Sequence, residues 1–477
     1  FPYGEHVLFT DNQPLLSNAL KFIQRNFFDV TPYVLGILNG LLFLSFLLAA
    51  WFNNLALRQL GVREWYAALV AVGLVFLAPQ FNRINGHFGL SYSFIIPMFL
   101  YLGIRHFSNP KWSRSIFMGV ATFAVGLLHA YNLGFTLLIT AVIFLVEIIR
   151  KTHHVRISLA HFGLQFILPL LAMQLFMFFT DSIPDRPSYP WSPFMCSFQP
   201  EGLFVSYNNP LTLWLHHKLH LRFINWEAEA YLGMSTLLIF AAIIFLSISY
   251  FKKRWQNFGL AIILQDRQKT FLLFSGISAI LLFLSYSILS GNTEIYQLMG
   301  PLRQFRAVGR FQWVTYFAFN FLAFAWISSV LKSKKKVWQV SILVLTLALL
   351  TFDAYEIYNE PYHTDHKVPL LTENSAEQEN MRHLLQGFDV IVPLPYFHIG
   401  SEDFLLHTED SRYYKDAMAV SYASGLPLTS INLSRTSLSQ TLAQLTYSVW
   451  PLENPPLKEN LKTRNALLLV QKESELT

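Results

Sequence analysis

Cysteine is almost absent. Cys196 is the single one in 477 residues, so the chain forms no internal disulfide and no cysteine-based zinc cluster. Charge is scarce too. Asp, Glu, Lys and Arg together make up 13% of the chain, where a soluble domain carries about 25%. No basic loop holds a phosphate-cradling glycine run or a nucleotide fingerprint, and no internal repeat or low-complexity segment stands out. No charged n-region or signal peptide precedes the first hydrophobic stretch. The first residue is Phe1 rather than Met, which reads as a processed or shortened chain with a membrane span upstream. Together these absences exclude an ordinary cytosolic enzyme, a disordered chain and a disulfide scaffold.

What is present is apolar. Hydrophobic residues make up 53% of the chain and aromatics 16%. Stretches near the roughly 20 residues needed to cross a bilayer recur, at about 33–52, 65–81, 88–104, 115–130, 132–149, 160–180, 231–251, 270–289, 311–330 and 337–352. Backbone groups in lipid must bond internally, so these ten read as helices. The short alternating strands of a barrel are missing. Pro97 and Pro169 interrupt two of them.

Charge placement orients the spans. Loops 53–64, 105–114, 150–159, 252–269 and 331–336 hold 17 Lys and Arg, against nine on the other side before the tail. By the positive-inside bias the first set is cytoplasmic. Residues 1–32 then form a first outer segment, 33–352 a transmembrane domain with a large outer loop at 181–230, and 353–477 an outer tail. The body to residue 352 is net +14 and the tail net −8. A basic membrane body with an acidic tail does not suggest nucleic-acid binding.

The outer segments carry the chemistry. From Pro14, residues Leu16, Leu20, Ile23 and Phe27 share one helical face, a pattern that fits a helix lying in the membrane interface. Asp11 is either a cap for that helix or a carboxylate held at the membrane surface as general base or metal ligand, with Glu5 and His6 nearby. Arg83 and His87 sit at the outer ends of adjacent spans. Arg83 either binds an anion or snorkels to headgroups. His129 reads as a polar hairpin group. His216 and His220 are spaced i, i+4, yet no HExxH pattern accompanies them, and a solvated face is the plainer reading. Glu227 and Glu229 lie one short stretch above the membrane, where carboxylates are expensive unless paired or useful. Arg303, Arg306 and Arg310 fall on one face if 302–310 is helical. Arginine suits planar phosphate recognition, and the reading here is a site for a polyprenyl carrier's phosphate. In the tail, helices are expected over 374–386 and 435–448 and strands over 388–394 and 466–471. That alternation predicts a small α/β domain.

The stretches FPYGEHVLFTDNQP, NRINGHFGLSY, WEAEAYLG and PLRQFRAVGRFQW, with the layout around them, resemble the GT-C superfamily of integral-membrane glycosyltransferases. The likeness covers nearly the whole chain. It implies an α-helical polytopic fold and a multi-pass protein of the plasma (inner) membrane with an extracytoplasmic C-terminal domain. It implies a polyprenyl-phosphate sugar donor within membrane lipid, a glycan, lipid or protein acceptor, and inverting single displacement. It leaves a divalent metal ion as an option. The family's catalytic acid maps to Asp11, with Glu227 and Glu229 as the other carboxylates. Its lipid-phosphate arginine maps to Arg303, Arg306 or Arg310, and Arg83, His87 and Tyr231 join the substrate-binding set. The competing readings are a transporter or flippase for a lipid-linked glycan, and a non-catalytic membrane protein of the same layout.

Overall fold

The computed structural model describes residues 2–10, 12–152, 154–183, 185–187, 199–221, 224–251, 264–290, 305, 307–358, 375–399, 405–406, 411–433, 436–449 and 456–470. It is a mostly helical membrane protein. Among the described residues six helices are long and apolar enough to cross a bilayer: Thr31–Gln59, Phe88–Ser108, Ala130–Ile149, Val155–Thr180, Val308–Leu331 and Lys336–Ile357. Shorter apolar helices cover Glu64–Phe76 and Met234–Ser247. Further helices run over Trp112–Gly126 and Arg267–Ser290.

Burial ranks these helices by position. The uncharged helix Gln312–Leu331 (α1) is the centre, with 83% of its apolar window buried, against 17% for Thr31–Gln59 and for Val155–Thr180 at the periphery. Trp313, Tyr316, Phe317, Phe321 and Phe324 of α1 are fully enclosed. Lipid gives little hydrophobic drive between helices, so close packing and polar contacts must hold them. Gly276 on Arg267–Ser290 supplies such closeness: a Cβ there would fall 2.2 Å from Phe319 Cε1. Thr315 donates to the Gly276 carbonyl at 3.1 Å, and Thr236 to Asn320 Oδ1 at 2.6 Å.

The two prolines behave differently from the expectation of interrupted spans. Pro97 falls in the first turn of Ile95–Ser108, where a missing N–H costs nothing. Pro169 does mark a disturbance. A π-helical turn, Gly163–Ile167, lies just before it, which accommodates the carbonyl that Pro169 cannot serve. The second hydrophobic stretch also ends early as a helix, at Phe76. Short 3-10 turns at Phe81–Asn85 and Phe88–Leu90 follow.

The end away from the basic loops is built from such turns. Helix Pro14–Asn26 (α2) lies across it. Pro14 occupies the first position, which its fixed φ favours. The Leu15 N–H donates to the Leu127 carbonyl at 3.0 Å, and Tyr92 donates to Gln13 Oε1 at 2.6 Å, tying α2 to two spans. In the tail, strand Val390–Leu394 pairs in parallel with Ala466–Val470, and His398–Ile399 pairs antiparallel with Leu405–Leu406. Helices occupy Ser375–Leu384, Ser411–Ser424 and Leu438–Val449 (α3).

Candidate functional site

Three single-turn helices converge at that end: Phe81–Asn85, Trp226–Ala228 and Val308–Phe311. They deliver Arg83, Glu227 and Arg310 to one buried cluster, whose side chains are 2%, 3% and 5% exposed. Arg310 donates from Nε to Glu227 Oε2 at 2.6 Å and from Nη2 to Oε1, a two-pronged fit of guanidinium to carboxylate. Arg83 Nη2 lies 3.3 Å from Glu227 Oε2. The Arg310 guanidinium also packs over the Tyr131 ring at 4.6 Å, and that of Arg83 lies 5.4 Å from the Trp313 ring. Glycine lets the backbones meet: a Cβ on Gly309 would fall 2.8 Å from the Glu227 carbonyl oxygen.

The electrostatics follow from this enclosure. Burial alone would raise the Glu227 carboxyl. The charge and hydrogen bonds of Arg310, with Arg83 and His87, outweigh it and hold the group down at about 2. Glu227 is therefore a fixed anion shared by two cations, and these three described side chains sum to one positive charge held away from water. Beside it His129 caps helix Ala130–Ile149, its Nδ1 accepting from the Tyr131 N–H at 3.2 Å. Burial, with Arg310 and His87, pushes its imidazole down to about 3, so it is neutral.

The remaining residues singled out in the sequence divide. Asp11, Arg303 and Arg306 lie outside the described residues. Glu229 accepts from Ser206 Oγ at 3.1 Å. Tyr231 serves a different acid. Its hydroxyl donates to Asp353 Oδ1 at 3.1 Å, Asn209 Nδ2 donates to the same oxygen at 2.6 Å, and the Met234 N–H donates to Oδ2 at 2.7 Å. Asp353, fully buried, thus staples the stretch before Met234 to the last span. His220 lies past the end of Pro210–Lys218, with φ +49°, so it does not continue the helical face of His216.

A second charged group was not singled out. Arg186 donates from Nε and Nη2 to Asp181, at 2.6 and 2.8 Å, and from Nη2 to Glu5 Oε1 at 2.5 Å. Among the described residues Glu5 Oε2 has no partner. His6 Nδ1 accepts from the Leu8 N–H at 3.3 Å, which leaves Nε2 as the donor to Thr180 Oγ1 at 2.9 Å. These groups rim a cleft of about 930 Å³. One wall is aliphatic, from Leu16 and Leu20 of α2 with Val34 and Leu38. The lining also offers Glu5, Asp181, Lys21 and a set of amides and hydroxyls. Phe88, next in sequence to His87, lines it too. Among the described residues no group of three or more His, Cys, Asp and Glu side chains is placed to hold a metal ion.

Residues 1–355 match the family described as a domain of unknown function, DUF6311, and the chain belongs to it. Comparison with curated proteins gives no match. The family match reaches two residues past Asp353 and leaves out the tail strands and helices.

Proposed function

We propose that this DUF6311 member is a GT-C-like glycosyltransferase of the plasma membrane, with the cleft and the tail on the outer side. It moves a sugar from a polyprenyl-phosphate donor to a hydroxyl-bearing acceptor. The single observation that carries this reading is the mixed lining of the cleft, aliphatic side chains together with carboxylates, amides and hydroxyls. An aliphatic wall built on an interfacial helix suits an isoprenoid chain. A rim of amides, hydroxyls and carboxylates suits a sugar.

The reaction is an inverting displacement. The acceptor hydroxyl oxygen attacks the anomeric carbon, and its proton passes to Glu5 Oε2, the carboxylate oxygen with no partner among the described residues. Asp11 adjoins the lining residue Asn12 in sequence and is the other carboxylate for that role. The bond from the anomeric carbon to the phosphate oxygen breaks, and the carrier phosphate leaves with the negative charge. Arg83 of the Arg83–Glu227–Arg310 cluster is five positions from the lining residue Phe88, and the cluster, whose three described side chains sum to one positive charge, favours the leaving charge as it grows. Glu227 itself is no base, because both its oxygens are committed to guanidinium groups.

The test is transfer of labelled sugar from a panel of polyprenyl-phosphate sugars in membranes containing the full-length protein. Wild type is expected to transfer, and Glu5→Gln to lose about 10²-fold in rate. Failure of the wild type with every donor would sink the assignment.

A further inference from the structure

We propose that the tail forms a wall of the cleft and that Gln440 is a specificity-determining residue, contributed by the tail to whatever hydroxyl-bearing group enters. The identity of that occupant rests on the transferase reading; the wall itself does not. Gln440 lines the cleft from the first turn of α3, although the nearest other lining residue in sequence is Ile183.

The docking is specified in detail. A helix start leaves its first N–H groups without intrahelical partners. In α3 the Leu438 N–H donates to the Asp185 carbonyl at 3.1 Å, and the Ser439 N–H to Asp185 Oδ2 at 2.8 Å. The Gln440 N–H donates to Ser437 Oγ at 3.2 Å, and the Thr441 N–H to the Ser437 carbonyl at 2.9 Å. All four groups are occupied, two of them by a residue 253 and 254 positions away in sequence. This helix start is therefore a latch, with no N–H left for an anion. Asp185 adjoins Arg186, the residue that gathers Glu5 and Asp181 on the cleft rim. A single short loop thus fixes the N-terminal segment with one residue and the tail with the next. The latch sets which residue of α3 faces the cleft. The side chain presented is an uncharged amide, able to donate and accept, beside a rim of carboxylates. Such a group distinguishes hydroxyl patterns by paired hydrogen bonds.

Full-length protein carrying Cys196→Ser and Ser17→Cys gives a thiol inside the cleft for labelling with a bulky maleimide. Asp185→Ala removes the latch from one side. Ser439→Pro removes only the N–H that meets the Asp185 carboxylate, at a position where a helix tolerates proline. Each is expected to speed labelling about tenfold. Gln440→Ala is expected to raise the acceptor KM about tenfold and to leave the donor KM unchanged. Unchanged labelling in both latch variants would overturn the wall. Faster labelling with an unchanged acceptor KM in Gln440→Ala would overturn the role of Gln440. Faster labelling with no transfer by wild type would keep the wall and remove the transferase assignment instead.

Discussion

Two arginine–carboxylate clusters lie at the same end of this protein, and they are inverses of one another. In one, two arginines share Glu227; in the other, two carboxylates share Arg186. Summed over these described side chains, the first is net positive, and it is sealed from water and committed at every carboxylate oxygen. Summed likewise, the second is net negative; it borders a cleft and keeps one oxygen of Glu5 unengaged among the described residues. Identical chemical parts thus serve opposite ends. Two cations on one acid weld three turns together and store positive charge. Two acids on one cation leave a proton acceptor at a surface that a ligand can reach.

The contrast can be broken at its strongest point first. Glu227→Gln leaves two buried guanidinium groups without their anion, and an uncompensated buried charge costs about 3–5 kcal/mol. The expected result is loss of most folded protein on thermal unfolding in detergent. A melting temperature equal to wild type would mean that the cluster is no weld. Next comes Glu5→Gln. The expected 10²-fold loss of transfer corresponds to about 2.7 kcal/mol of barrier, with the fold retained. If the two variants exchanged phenotypes, the division between weld and working site would be wrong. Gly309→Ala probes how tightly the weld is packed. Its Cβ must displace the Glu227 carbonyl, a crowding expected to cost about 2 kcal/mol and read as a lower denaturation midpoint. Acid gives the gentlest probe. Glu227 titrates near 2 when folded, against 4.5 ordinarily. A depressed carboxylate stabilises above its unfolded value, so its contribution is complete above about pH 4.5 and fades as the pH falls towards 2. Unfolding measured from pH 6 down to pH 2.5 should show that loss in wild type, and a shallower one in Glu227→Gln.

Much of the frame was legible because lipid imposes a crude code. Each apolar stretch read from the sequence contains a helix, though 65–81 and 88–104 are helical over only part of their length, and the basic loops mark one side. The cost of an acid so near lipid marked Glu227 as needing a partner or a use, without naming Arg83 or Arg310 as the partner. Arg83 was readable for a related reason: a hairpin that short needs no cation. What stayed hidden depends on distance along the chain. Glu5 meets Arg186 across 181 positions, and nothing local in either stretch names the other. Asp353 carries a fainter signal, an acid at the end of an apolar span, where a carboxylate needs donors to offset its cost. The pair His106 and Glu147, 2.7 Å apart and fully enclosed, left the same kind of mark: one acid inside an otherwise uncharged span. The 3-10 turns that carry Arg83, Glu227 and Arg310 have no strong sequence signature, so the approach of these three groups could be suspected and not drawn.

The staple at Asp353 has a consequence for how such a protein is assembled from parts. Its donors, Asn209, Tyr231 and Met234, all belong to the membrane body, and the family match ends two residues beyond it. A junction placed after Tyr358 would therefore divide the chain without undoing that fastening. A chimera carrying another member's C-terminal portion would keep this fastening and would exchange the tail's strands and helices, the docking helix and the amide that it presents among them.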